Sequence, residues 1–224
     1  MAPADGSIPT RPTYETPRPE VQGLVPADAR NILDLGCSTG ALGEALKHRQ
    51  GASVVGVELS ESFADEARDR LDRVIVADLE AFARGPAPPE APFDCLIAAD
   101  VLEHLVDPWE ALRRGVEMLA PGATVVVSLP NVFYWRTLGR AVASRRWPRE
   151  AEGIFDRTHL RWFGTGDAHE LLENAGLTSI EVQPNYWYRA RWLPLIGALA
   201  RTPLADFLPA QHLATGVVPP GGQG

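Results

Sequence analysis

Three carboxylates and a run of small residues are spaced as a nucleoside-type ligand would need them. Asn31 to Leu42 read NILDLGCSTGAL: an apolar run stops at Asp34, a turn through Gly36, Cys37, Ser38 and Gly40 follows, and a helix-forming segment comes next. A turn with so few side chains, opening onto a helix N-terminus, presents outward backbone N–H groups to an electron-rich ligand group at close range. Ser53 to Glu58, SVVGVE, ends a second apolar run in a carboxylate 24 residues after Asp34, a placement from which an acid can accept from both ribose hydroxyls. Val74 to Asp78, VIVAD, ends a third run, and Asp78 could hold the base. Each acid taken singly is equally a solvated strand end or a cap for the next helix. Both in register favour the nucleoside.

The elements that must position these groups alternate as in a parallel sheet covered by helices on both faces. The pattern predicts strands near 31 to 35, 53 to 58, 73 to 77, 93 to 98, 122 to 128, 178 to 184 and 210 to 218, and helices near 39 to 49, 60 to 71, 108 to 119 and 166 to 175. Asp107-Pro108-Trp109-Glu110 marks a helix start, with a capping acid, proline in the first turn and a carboxylate at the reciprocal capping position. Gly176 stops the last helix. Residues 84 to 92, RGPAPPEAP, read as a plain surface loop. One domain over 1–224 is expected, with an N-terminal extension at 1–20 and long insertions at 129–165 and 185–209, which are rich in Trp, Tyr, Phe and Arg and fall where lids and binding loops are built.

ILDLGCSTG, VVGVELS, VIVADLE, FDCLIAADVLEHLVDPWEAL, LAPGATVVVSLPN and GIFDRTHLRWF follow one another through most of residues 14 to 184. In that order they resemble the class I S-adenosylmethionine-dependent methyltransferases, in the branch of ubiquinone-pathway and sugar or natural-product enzymes. The resemblance implies a Rossmann-like α/β fold, a seven-stranded, mostly parallel sheet with its last strand antiparallel and helices on both faces. It also implies S-adenosylmethionine as cofactor and S-adenosylhomocysteine as product. On it, Gly36, Ser38 and Gly40 line the methionine part, Glu58 holds the ribose, Asp78 and Leu79 contact the adenine, and Asp34, Cys37, Leu59, Ala99 and Asp100 complete the contacts. Tyr14 and Arg18 fall where family members carry an N-terminal cover. Ser38 stands where the family often has glycine.

Methyl transfer from a sulfonium needs in-line positioning above all. A hydroxyl acceptor also needs a base, whereas a carboxylate does not. His104 in ADVLEHL and His159 in DRTHLRWF are the candidate bases, since imidazole titrates near neutrality; each could instead cap, or lock the 129–165 insertion in place. Arg157 and Arg161 could receive an anionic acceptor through their forked donors or make surface ion pairs. Tyr134 and Trp135, with Trp147 and Trp162, are candidates for an apolar substrate wall, or for core of the insertion.

The chain has 224 residues, 45% hydrophobic, and a net charge of −8. That charge disfavours a nucleic-acid substrate, leaving a small-molecule acceptor. Cys37 and Cys95 are expected to be reduced and structural, and no metal site is expected. The N-terminus lacks a signal-like apolar core, and no run approaches the roughly 20 residues of a membrane span. A cytoplasmic location follows. Arg189 to Leu208 carries Trp192, Leu195, Ile196 and Leu199 at helical spacing between arginines, which could cover an active site, pair two subunits as a homodimer, lie on a membrane surface or pack on the sheet; packing or a lid is expected, and membrane attachment should be weak. Two other readings are a nicotinamide-dependent oxidoreductase, although Gly-x-Gly-x-x-Gly spacing is missing, and a non-catalytic cofactor-binding module that regulates a partner.

Overall fold

In a computed structural model, which describes residues 16–186, 202 and 204–221, seven strands form one sheet. They are β1 (Asn31–Leu35), β2 (Ser53–Glu58), β3 (Arg73–Val76), β4 (Phe93–Ala99), β5 (Leu119–Pro130), β6 (Thr178–Asn185) and β7 (Gln211–Val217). Their order is β3-β2-β1-β4-β5-β7-β6. β1 to β5 pair in parallel, and β7 runs antiparallel to both β5 and β6. The helices are α1 (Pro19–Gln22), α2 (Ala41–Gln50), α3 (Glu61–Arg68), α4 (Leu79–Arg84), α5 (Pro108–Val116), α6 (Trp135–Ser144) and α7 (Thr165–Asn174).

Alternation along the central strands feeds two cores. Leu33 and Leu35, Val55 and Val57, Leu96, Val125 and Val127 pack on one face with Leu112 of α5 and Leu171 of α7. Ile32, Val54, Cys95, Ile97 and Val126 pack on the other with Leu42 and Leu46 of α2 and Ala67 of α3. Burial on both faces explains why these strands read as continuous apolar runs. The chain enters at β1, lays β2 and β3 to one side, then crosses to β4 on the other. The crevice where strand order reverses therefore opens beyond β1 and β4, the usual ligand position in such sheets.

The expected starts and stops are largely those observed, with three informative differences. Asp107 does cap α5, accepting from the Glu110 N–H at 3.1 Å. Glu110, however, turns away to Arg113 and Arg114 at 2.7–2.9 Å, because two guanidiniums outcompete one backbone N–H for a carboxylate. Three further helices, α1, α4 and α6, occupy stretches where none was predicted. The first two are only four and six residues long, too short to show a period. α6 buries only Ala141, so its apolar face, with Trp135 and Val142 exposed, lies largely outside the core. β5 also begins earlier, at Leu119, and ends later, at Pro130, so residues 129 and 130 belong to the sheet rather than to the insertion.

Candidate active site

The turn after β1 closes tightly onto its neighbours. Gly36 and Gly40 adopt φ of +74° and +80°, and Ser38 +49°. A Cβ on Gly36 would lie 2.6 Å from Val101 Cγ2, so glycine is what allows this turn and the one after β4 to touch at the crevice. The N–H groups expected to face outward are turned inward instead. Those of Gly36 and Cys37 donate to Val57 O at 2.8 and 3.0 Å, and that of Gly40 donates to Cys37 O. Ser38 N–H donates to Glu58 Oε2 at 2.9 Å. Buried N–H groups must be paired, and with the crevice wall so close the nearest acceptors belong to β2.

Glu58 thus ties the turn to β2, its other oxygen accepting from Ser60 N–H at 2.8 Å. Burial holds its carboxyl above the usual range, against the pull of the Ser60, Ser38 and Leu59 N–H groups; three donors on two oxygens leave lone-pair capacity for a ligand. Asp34, 2% exposed, is pushed up to about 7 by burial, then by the charge of Glu58, with Arg18 opposing. Its Oδ2 is buried and has no hydrogen-bond partner, an orphan that a cationic or hydrogen-bearing ligand group would satisfy. Asp78 caps α4, accepting from Ala81 N–H at 2.9 Å through Oδ1. Leu59 is exposed at the end of β2, whereas Leu79 and Cys37 are core residues.

Asp100 follows β4 in a left-handed conformation, φ 55°. Its carboxylate accepts from Arg18 Nη1 at 2.6 Å, from Ser128 Oγ at 2.8 Å and from Gln211 Nε2 at 2.9 Å. Arg18 also donates to Ser128 Oγ at 3.1 Å. The N-terminal segment is thereby fastened across the crevice mouth, Ala99 and Asp100 forming one wall. Ser128 and Gln211 carried no sequence signal beyond lying at strand ends.

Beyond Asp100 a single 3-10 turn, Leu102–His104, presents two groups to the 129–165 insertion. The Glu103 carbonyl accepts from the N–H groups of Leu160 and Arg161 at 2.8 and 3.0 Å. His104 Nδ1 lies 2.9 Å from Thr158 Oγ1, and that oxygen lies 2.7 Å from Asp156 Oδ1. The His104 and His159 rings meet edge to face at 4.6 Å, and His159 Nδ1 donates to Ile154 O at 2.9 Å. Burial, then His159, lowers His104 to about 4; burial lowers His159 too. Glu103, 1% exposed, is held well above the carboxylate range by burial and Asp100. Its Oε2 has no partner. No metal site was legible in the sequence, yet among the described residues one metal-ligating atom each from Glu103, His104 and His159 lies within 4.8 Å of the others.

The remaining expected site residues divide. Tyr134 is buried in a small cluster with Ile154 and Ala210, so its ring packs. Trp135 is 52% exposed. Trp147 packs on Phe155 and Trp162, ring centroids 4.7 and 5.5 Å apart; Phe155 is buried, while both tryptophans remain exposed at the surface of the insertion. Arg161 donates to Val106 O and lies over the Trp109 ring at 5.9 Å, so its fork is directed at α5. Arg157 is exposed on the surface. Tyr14, Trp192 and Leu195 lie outside the described residues. Among the described residues no helix is long and apolar enough to cross a membrane.

Comparison with known proteins agrees with this geometry. The family described as "Methyltransferase domain" matches residues 13–182. The chain is 34% identical over 140 residues to a ubiquinone biosynthesis O-methyltransferase of Bradyrhizobium diazoefficiens, covering 62% of this chain and 50% of that protein. It therefore spans about half the length of that relative. It is 31% identical over 198 residues to a trans-aconitate 2-methyltransferase of Paracidovorax citrulli, covering 85% and 71%. A solved S-adenosylmethionine-dependent methyltransferase from Mesorhizobium loti shares the fold, with TM-score 0.62 and 23% identity over 89% of this chain and 96% of that one. The nicotinamide-dependent alternative falls with these matches. A methyltransferase domain matched over most of the chain, on a seven-stranded sheet with its glycine turn and acids at the strand ends, makes this chain a member of the class I S-adenosylmethionine-dependent methyltransferases.

Proposed function

We propose that the protein transfers the methyl group of S-adenosylmethionine to a hydroxyl oxygen of a small molecule, a sugar or secondary metabolite, with His104 as the proton acceptor. The cofactor supplies an electrophilic methyl on a sulfonium. Its holders on this reading are the turn Gly36 to Gly40 with Asp34, Ala99 and Asp100 for the amino-acid part, Glu58 for the ribose, and Asp78 with Leu79 for the adenine. The orphaned Asp34 Oδ2 supports that assignment. The chain's own contribution to rate is positioning between these walls, with proton removal added where the acceptor requires it.

One observation carries the choice of a hydroxyl acceptor. His104, immediately past the β4 end of the crevice, has Nδ1 2.9 Å from Thr158 Oγ1, which is itself bonded to the Asp156 carboxylate at 2.7 Å; burial and His159 lower its pKa to about 4, so it starts unprotonated and depends on that carboxylate to stabilise the charge when it takes a proton. A neutral imidazole can take a proton; a carboxylate acceptor, as the name of the trans-aconitate relative suggests, would have no use for one. The ubiquinone-pathway relative is named as an O-methyltransferase, consistent with oxygen as target. Residues 131–165 act as the lid on this reading.

Titration with S-adenosylhomocysteine and with NAD by calorimetry, followed by an acceptor screen with labelled methyl donor, tests the reading. Binding of the first alone and transfer to a hydroxyl compound are expected. His104→Gln should then lower kcat by about 10²- to 10⁴-fold with unchanged S-adenosylhomocysteine affinity. Retained turnover would remove His104 as base, and binding without transfer to any acceptor would favour the regulatory module.

A further inference from the structure

We infer that Asp156 and Thr158 are positioning residues that fix His104 in the tautomer whose lone pair is on Nε2, making Nε2 the atom that takes the acceptor's proton. The inference rests on His104 being the base, but the tautomer itself can be observed without turnover.

The argument is one of hydrogen count. Thr158 Oγ1 and Asp156 Oδ1 approach to 2.7 Å, a separation that a hydroxyl and a carboxylate oxygen reach only with the hydroxyl hydrogen between them. Thr158 N–H donates to the same oxygen, also at 2.7 Å, fixing the carboxylate's orientation. A threonine hydroxyl has one hydrogen, and here it is committed. Toward His104 Nδ1, 2.9 Å away, Oγ1 can therefore only accept, so Nδ1 carries the N–H. Neutral imidazole has one N–H, which leaves Nε2 with the lone pair.

The relay is held in place by backbone. The Glu103 carbonyl, one residue before His104, accepts from Leu160 and Arg161, pinning the segment of the insertion that carries Thr158 beside the turn after β4. The groups facing His104 are His159, Asp156, Glu103 and the Thr158 backbone, whose hydrogen bond favours a proton on the ring. Nδ1 of His159 donates to the Ile154 carbonyl, which fixes the ring edge to face against His104. When Nε2 takes the proton from the acceptor hydroxyl, the oxygen's electron pair forms the O–CH₃ bond and the C–S pair returns to sulfur. The imidazolium's Nδ1–H then points through the Thr158 hydroxyl to the Asp156 carboxylate, which stabilises the charge as it forms.

Long-range ¹H–¹⁵N correlation of the full chain, with His104 assigned by its loss in His104→Gln, reads the tautomer directly. The wild type should show a protonated-type Nδ1 and a lone-pair-type Nε2 at neutral pH. Thr158→Val should give mixed tautomers and lose about 10- to 100-fold in kcat, the range for outer-shell partners, with acceptor KM and S-adenosylhomocysteine affinity within about twofold and an unchanged melting curve. Thr158→Ser, which keeps the hydroxyl, should restore both the tautomer and most of kcat; Asp156→Asn should keep the tautomer but lower kcat. An Nε2–H tautomer in the wild type, or a Thr158→Val enzyme with wild-type kcat, overturns the inference. The tautomer as stated with full turnover in His104→Gln would instead overturn the proposed base.

Discussion

Gln211, the first residue of β7, donates its side-chain amide to both carboxylate oxygens of Asp100 at 2.9 Å, joining positions 111 residues apart. Asn185 of β6 holds the Gln211 amide in that orientation at 3.1 Å. Gln211→Ala removes a hydrogen bond to a charged group, a loss of about 1.5–3 kcal/mol. Urea unfolding should show a lower midpoint at unchanged slope. An unchanged midpoint would mean that Arg18 and Ser128 hold Asp100 unaided.

Gly36 and Gly51 both have left-handed backbone, at φ +74° and +67°, but only Gly36 is crowded. Gly51→Ala should therefore cost about 1–2 kcal/mol and leave cofactor affinity intact. Gly36→Ala adds overpacking against Val101, for a total of about 2–5 kcal/mol, and should weaken S-adenosylhomocysteine binding. Equal losses in the two variants would contradict the close approach at the crevice.

Glu58 organises the turn after β1 as well as offering lone pairs to a ribose. Glu58→Ala should reduce S-adenosylhomocysteine affinity at least tenfold, about 1.4 kcal/mol, by calorimetry. It should also lower the melting temperature, because Ser38 N–H loses its acceptor. Wild-type affinity in a folded variant would remove Glu58 from the cofactor site.

Two buried groups should impose opposite slopes on stability against pH. Burial lowers His212 to about 4 from 6.5, so between those values the unfolded chain binds the extra proton and stability falls as pH drops through that window. Asp34, raised from 3.8 to about 7, keeps a proton that the unfolded chain releases, so its effect is loss of stability as pH rises from about 4 to 7. In denaturant melts over pH 4–7, His212→Leu should flatten the acid side by up to about 3 kcal/mol and Asp34→Asn the neutral side by up to about 4 kcal/mol. Parallel curves for wild type and variants would refute both assignments.

What could be read from sequence was what repeats locally. The apolar runs ending in Asp34, Glu58 and Asp78 mark three strand ends, since a buried strand and its terminal acid lie within a few residues of each other. The same was true of Asp107-Pro108 at the start of α5. Contacts made by topology left no such trace. Nothing near Ser128, Asn185 or Gln211 in sequence announces Asp100, and Thr158 meets His104 across 54 residues. Glu103 was hidden for another reason: a lone acid next to a histidine reads as solvated, and only the packed turn shows it buried. The inward N–H groups of the glycine turn follow from the close neighbour β2, whose distance no local spacing encodes.

β7 lies last in the described sheet by sequence yet sits between β5 and β6 in space, pairing antiparallel with both, and its first residue, Gln211, lies at the crevice end. A chain lacking β7 would leave β5 and β6 with unpaired flanks and Asp100 without its amide. The last strand of the described sheet is thus also a part of the crevice wall, so a chain truncated before β7 loses a central sheet pairing and the Asp100 partner together.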